Sequence, residues 1–261
     1  MLLEWLSASD RNPNPFSGFR VIDIVEGSAC SDVVREHLSQ LIQVELFDTD
    51  FLVELAEHLG WTTVRTVLMN RNPSRSSFRR GDFGEILTNA TLEQLFGYKI
   101  PVRKLRYKVV ANQTMPGTDS LAIRVGDLGK VREVCFVESK LRTTVDQHVA
   151  LTAYEQLRRD YDLEVPSILT FVAQRLFETN HELYEPFMEY LGDRADTQER
   201  ETFCISLSMD IAVWDEMVLQ NLEDGGVELS SLSVYPIRLE GLSGLIDSLT
   251  AAVGLRIEDG E

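Results

Sequence analysis

The stretch from residue 119 to residue 140 restricts the fold most strongly, because its pattern is that of a β-hairpin. Two strand-like runs flank Asp127-Leu128-Gly129-Lys130, a tight-turn sequence in which the glycine can take a positive φ. If Leu128 and Gly129 form a two-residue loop, Asp119 stands directly opposite Glu138. The sequence therefore predicts an antiparallel pair of strands with one acidic residue on each.

The hairpin also predicts a chemical site. Opposed residues share a face of the sheet, with Cβ atoms roughly 4.5–5.5 Å apart, and Lys140 returns to the same face because it lies two residues beyond Glu138. Two carboxylates that hold a divalent cation beside an ammonium are what metal-dependent phosphodiester hydrolysis needs. The apolar run before Glu138 indicates burial, and buried charges are costly without a metal or partner. The alternative is a structural cluster of ion pairs.

An upstream helix offers a fourth acidic group. Apolar residues recur at helical spacing over residues 81–96, and Gly97 is a typical helix stop. Glu85 lies in the first turns of this helix, where it could complete a metal site or orient the nucleophile. The alternative is an acidic residue favoured by the helix dipole.

Charge is distributed unevenly along the chain. The formal net charge is −17, yet residues 71–142 contain 14 Lys and Arg against 7 Asp and Glu, which leaves −24 for the remainder. A basic cleft on an acidic body fits phosphate binding at one place. We predict that Arg79, Arg80, Lys104 and Arg142 contact nucleic acid. The alternative is that the basic residues of this window form a solvated face.

Strand-like and helix-like segments alternate along the chain, which predicts an α/β protein with a mixed central sheet flanked by helices. The predicted strands are 19–25, 105–111, 120–125, 131–139, 167–173, 202–209 and 228–239. The predicted helices are 31–46, 48–59, 81–96, 143–161, 178–191, 211–222 and 241–253. The polar segment Asn70–Ser77 is the best candidate boundary before the core.

Composition excludes several classes of protein. No apolar run approaches membrane-spanning length. The sequence also contains no Gly-rich phosphate loop, which an ATPase would need. Cys30, Cys135 and Cys204 lie far apart and outside any Cys-x-x-Cys spacing. They indicate buried thiols in a reducing cytoplasm, not a disulfide framework or zinc site.

The order of these elements resembles the PD-(D/E)xK nuclease superfamily, in which an acidic helix, an Asp strand, a Glu-x-Lys strand and a helix follow one another. Glu85, Asp119, Glu138 and Lys140 match that pattern over roughly residues 78–175. More narrowly, the runs 81–85 (Gly-Asp-Phe-Gly-Glu) and 136–140 (Phe-Val-Glu-Ser-Lys) resemble HamA, the nuclease family of Hachiman anti-phage systems, which acts with the helicase HamB.

This resemblance implies a restriction-endonuclease-like core at 78–175, with family-specific additions at 1–77, where a partner could bind, and at 176–261. It also implies cleavage of DNA with Mg²⁺, or Mn²⁺, held by Glu85, Asp119, Glu138 and the Ser139 carbonyl, while a helicase partner controls the activity. Two other interpretations stay open. One is a catalytically silent nucleic-acid-binding or scaffold subunit, and the other is a regulatory module that docks its partner through the acidic remainder.

Overall fold

A single mixed sheet organises the described part of the chain. The computed structural model describes residues 2–71, 73, 75–193 and 200–259. Within them, six strands lie in the order β1-β2-β6-β5-β4-β3. They are β1 (Leu6–Asp10), β2 (Arg20–Glu26), β3 (Ser120–Val125), β4 (Val131–Arg142), β5 (Glu201–Asp210) and β6 (Leu232–Leu239). The two outer pairs, β1-β2 and β3-β4, are antiparallel, and the inner pairs are parallel.

Helices cover both faces of this sheet, so the predicted α/β class with a mixed, helix-flanked sheet is confirmed, and the architecture is consistent with a restriction-endonuclease-like core. The helices are α1 (Leu2–Trp5), α2 (Asp32–Leu46), α3 (Thr49–Leu59), α4 (Trp61–Arg71), α5 (Ser76–Phe96), α6 (Val149–Glu178), α7 (Tyr184–Gly192), α8 (Met217–Gly225) and α9 (Leu242–Asp259). Short 3₁₀ turns lie at Lys104–Tyr107 and Ile211–Val213.

The apolar run of β4 divides its side chains between two cores, because successive residues of a strand point to opposite faces. Val134 and Phe136 pack with α6, α7 and α8, whereas Cys135 and Val137 pack with α1, α2, α5 and α9. All four side chains are at most 3% exposed. Burial on both faces holds β4 rigidly, and β4 is the strand that carries Glu138 and Lys140.

The predicted hairpin register is confirmed, although its turn differs. Ser120 pairs with Val137 and Arg124 with Glu133, so that Asp119 stands opposite Glu138 one step beyond the last pair. The predicted two-residue loop is wrong, because the Gly126 N–H donates to the Lys130 carbonyl and this hydrogen bond closes a loop of three residues. Gly129 takes a φ of +75° there. A bulge that pairs Val125 with Val131 absorbs the extra residue and restores the register.

Two predicted strands are wrong. Residues 105–111 form the end of a 3₁₀ turn followed by a loop. Within the described chain, the outer edge of β3 pairs only through an isolated β-bridge between Lys99 and Ile123. Residues 167–173 continue α6, which runs to residue 178. The apolar residues Val165, Leu169, Val172 and Leu176 also fit the helical period, and all four are buried against the sheet.

Other boundaries shift by a few residues. The helix predicted at 143–161 begins at Val149, and the one predicted at 81–96 begins at Ser76. The predicted stop is confirmed, since Gly97 ends α5 with a φ of +69° and donates its N–H to the Leu92 and Glu93 carbonyls. Part of the polar segment 70–77, at residues 72 and 74, lies outside the described residues.

The division into regions at 77/78 and 175/176 stays a prediction. Its two boundaries fall within α5 and α6, and strands from all three regions share the one sheet. Among the described helices, none has the length and apolar character needed to cross a membrane.

Candidate metal and phosphodiester site

The end of the β3-β4 hairpin fixes the carboxylate of Asp119. Its backbone N–H donates to the Val137 carbonyl at 3.1 Å, and its Oδ2 accepts from the Ser139 N–H at 2.8 Å. The partners of these two hydrogen bonds on β4, Val137 and Ser139, are the residues directly before and after Glu138. They place Asp119 beside Glu138 through the backbone of β4, so that neither carboxylate depends on a flexible loop for its position.

Close packing of α5 on β4 brings in Glu85. Gly84 faces β4 so closely that a Cβ built on it would lie 3.1 Å from Leu141 Cβ and 3.2 Å from Ser139 Oγ. One turn later in the helix, Asn89 Oδ1 accepts from Ser120 Oγ at 2.6 Å, which ties α5 to the start of β3. Glu85 therefore reaches the end of the hairpin from the helix.

The three acidic residues and the lysine predicted from the sequence meet in one pocket of about 660 Å³ between α5, α6 and the hairpin. The walls contain Glu85, Asp119, Glu138 and Lys140 together with the loop 113–117. This pocket is the first of two grooves. The second groove, of about 560 Å³, shares Glu85, Asp119 and Lys140 with the first and continues past Arg80 and Arg142. Glu85, Asp119 and Lys140 thus lie where the two grooves join, and Glu138 lines the first of them.

Burial and mutual repulsion destabilise the charged forms of the three carboxyl groups. The pKa of Glu138 is raised to about 8, first by burial and then by the charge of Asp119, although the Lys140 ammonium opposes the rise. Burial also raises the pKa of Asp119, against the influence of Lys104. Glu85 has its pKa raised well above the ordinary value by burial and by Asp119. A cation in this pocket would stabilise the charged forms of all three carboxyl groups and so lower their pKa values.

Glu138 and Lys140 form an ion pair in the pocket. Lys140 Nζ lies 2.5 Å from Glu138 Oε1, and the Glu138 side chain is 3% exposed against 23% for Lys140. The ammonium thus compensates the buried carboxylate from the more open side. Lys140 is the group of this pair that a ligand entering the pocket can reach.

The donor set fits a hard divalent cation. In the described part of the chain, no three acidic, histidine or cysteine side chains are already gathered around one metal-sized point. Mg²⁺ does not require such a cage, since it is usually bound by one or two carboxylates with waters and phosphate oxygens. Asp119 and Glu138, with Glu85 and the Ser139 carbonyl nearby, supply oxygen ligands of the required kind.

The four predicted nucleic-acid contacts are placed differently. Arg80 and Arg142 line the second groove, where Arg142 also pairs with Asp146 at 2.7 Å. Arg79 lines a small cavity with Ile42 and Ile246 that contains none of Glu85, Asp119 and Glu138. Arg79 and Arg80 diverge because neighbouring residues on a helix point about 100° apart.

The ammonium of Lys104 forms hydrogen bonds within the protein. Its Nζ donates to the carbonyls of Gly117 and Thr118 at 3.0 and 2.6 Å, directly before Asp119. Its charge also opposes the rise in the pKa of Asp119 and Glu85. In this structure Lys104 therefore holds the approach to Asp119 in place.

Several residues of the pocket were missed by reasoning from the sequence. Asp82 and Lys108 form a buried ion pair in its wall, and Asp82 Oδ2 has no hydrogen-bond partner among the described residues. From α6 the pocket receives Gln156, Arg159, Asp160 and Glu164. A signal for the α6 residues existed, because Gln156, Asp160 and Glu164 recur at intervals of four on one helix face.

Comparison with models of protein families matches residues 1–230 of this chain to HamA. Comparison with curated proteins gives no match.

Proposed function

The chain belongs to the HamA family, a family of Hachiman-related anti-phage defence proteins, and on that basis we propose that it is a cytoplasmic, metal-dependent nuclease that cleaves DNA. The observation that carries the proposal is the convergence of Glu85, Asp119, Glu138 and Lys140 in one pocket that continues into a groove lined by arginines. The order of these residues also supports a PD-(D/E)xK site.

Each residue has a role in the proposed chemistry. Asp119 and Glu138 would hold Mg²⁺ or Mn²⁺, and Glu85 and the Ser139 carbonyl would supply further oxygen ligands. When bound, such a cation lowers the pKa of water and offsets negative charge on the phosphate. Lys140 can exchange its bond to Glu138 for one to the attacking water or a phosphate oxygen, where its charge stabilises the transition state.

We further propose that a helicase subunit controls this activity. The described N-terminal helices support a partner surface, since α3 and α4 expose large apolar side chains that a monomer normally buries. Phe51 is 58% exposed, Leu59 56% and Trp61 57%. The acidic remainder of the chain discourages nucleic acid from binding elsewhere on the protein.

A panel of substrates tests this function. Purified full-length protein should cleave DNA in Mg²⁺ and lose all cleavage in EDTA, because the carboxylates cannot act without the cation they bind. Supercoiled plasmid, linear duplex, single-stranded DNA and RNA would be compared on gels, with and without the helicase subunit. Restraint by the helicase should appear as slower cleavage in the complex. Failure to cleave any substrate in any metal, alone or in the complex, would support a catalytically silent subunit instead.

A further inference from the structure

Arg159 of α6 lines a different groove from Arg80 and Arg142, and the two grooves meet at the carboxylates. It lines the first groove, whereas Arg80 and Arg142 line the second. The two grooves share Glu85, Asp119 and Lys140. A strand that passes over these shared residues would therefore meet arginine side chains both before and after the reacting phosphate.

The position of Arg159 is fixed by two neighbours on the same helix. Gln156 Nε2 donates to both carboxylate oxygens of Asp160, at 3.0 and 2.9 Å. This fixes the orientation of the amide, so its Oε1 accepts from Arg159 Nη2 at 2.6 Å. Asp160 is 1% exposed and lies 3.6 Å from Arg159 Nε, whereas the Arg159 side chain is 60% exposed. A buried anchor thus orients an exposed guanidinium.

Arg159 differs from the other cations of its groove in what it contacts. Lys108 and Lys140 each form a short ion pair with a carboxylate of the same wall. Arg159 makes its close hydrogen bond to a neutral amide, and its ion pair with Asp160 is longer, at 3.6 Å. Guanidinium groups bind phosphate through paired N–H donors, and an anchored guanidinium loses less entropy on binding.

The adjacent arginine provides an internal comparison. Arg158 points elsewhere, with Nη2 2.7 Å from Glu228, and does not line either groove. Its side chain is also exposed, at 42%. The two residues have the same chemistry and the same local backbone, so a greater loss of binding in the Arg159 variant than in the Arg158 variant reports on the groove.

We propose that Arg159, oriented by Gln156 and Asp160, binds the nucleic-acid backbone on the side of the reacting phosphate opposite Arg80 and Arg142. This inference rests on the proposed nuclease function and adds a substrate-binding residue to it. Arg159 acts on binding of the strand, while Lys140 acts at the reacting phosphate.

Binding and cleavage by full-length variants test the proposal. The Kd would be measured for a fluorescent duplex and a single strand of equal length, in Ca²⁺ over a range of salt concentrations. Arg159→Ala should weaken binding about tenfold and reduce the salt slope by about one, because one phosphate contact is lost. Its KM for DNA should rise by a similar factor, with kcat within about threefold of wild type. Arg158→Ala is the matched control and should bind like wild type.

Two further variants separate binding from a general structural effect. Arg159→Lys should recover part of the affinity, since it keeps the charge but not the fork of donors. Gln156→Ala should weaken binding in the wild-type background but have no further effect in Arg159→Ala, because its role is to orient Arg159.

The outcomes are distinguishable. Equal Kd values for wild type, Arg158→Ala and Arg159→Ala would overturn the role of Arg159, while metal-dependent cleavage by the same wild-type protein would leave the nuclease function standing. A fall in kcat without a change in Kd would also overturn it. Wild-type protein that neither binds nor cleaves nucleic acid would overturn both proposals.

Discussion

Replacing Glu138 and Lys140 together with alanine should reduce metal-dependent cleavage by about 10³-fold or more, which corresponds to about 4 kcal/mol of transition-state stabilisation. The variant removes a proposed metal ligand and the ammonium beside it. It should remain folded, because the two groups form an ion pair at 2.5 Å and neither charge is left alone in the interior. Initial rates on DNA in Mg²⁺ and a thermal melt would be measured side by side.

The matched control is a second pair of the same residue types. Lys130 and Glu189 form an ion pair at the turn end of the same hairpin, with side chains 63% and 50% exposed. Lys130→Ala/Glu189→Ala changes the composition in the same way but lies far along β4 from the carboxylates. It should cleave like wild type. If the Glu138/Lys140 variant retains the rate of this control, those residues are not part of the reaction.

Replacing Gly84 with leucine should impair both stability and cleavage. No space exists for the side chain, since even a Cβ would lie 3.1 Å from Leu141 Cβ and 3.2 Å from Ser139 Oγ. Overpacking of this kind costs about 1–3 kcal/mol. The helix must then move away from β4 and take Glu85 with it, and a displacement of about 1 Å at a reacting centre can lower the rate by about 10²-fold.

Gly81 provides the control for stability, because it lies three residues earlier in α5 and a Cβ added there would meet no described atom within 4 Å. Gly81→Ala should raise the free energy of unfolding by about 0.5–1 kcal/mol through helix propensity. Chemical denaturation and cleavage rates would be compared for the two variants. Wild-type stability and activity of Gly84→Leu would show that the close contact between α5 and β4 does not position Glu85.

The hairpin could be predicted from the sequence because its geometry is local. The turn residues and the alternation of the two strands set the register, and a bulge preserved it even though the loop is one residue longer than expected. Glu85 could be placed because a helix with one apolar face must present that face to the sheet. Gly84 gives this prediction its physical basis, since it allows the helix to approach β4 closely.

Contacts made between distant segments could not be predicted in this way. The sequence predicted that Lys104 contacts nucleic acid, but only the fold shows that its ammonium lies against the carbonyls of Gly117 and Thr118. Likewise, residues 167–173 have the composition of a buried strand, and a short apolar run of this kind does not by itself distinguish a strand from a segment of a buried helix. The contribution of α6 to the pocket was missed although Gln156, Asp160 and Glu164 recur at helical spacing, because that spacing does not show which surface the helix face meets.

The most direct test of the metal site is a calorimetric titration of Mn²⁺ into full-length protein and into the isosteric variant Asp119→Asn/Glu138→Gln. We expect saturable binding by the wild type and its loss in the variant, because amides replace the anionic oxygens while the shape of the pocket is kept. Equal Mn²⁺ binding by the two folded proteins would contradict the assignment of Asp119 and Glu138 as the metal site.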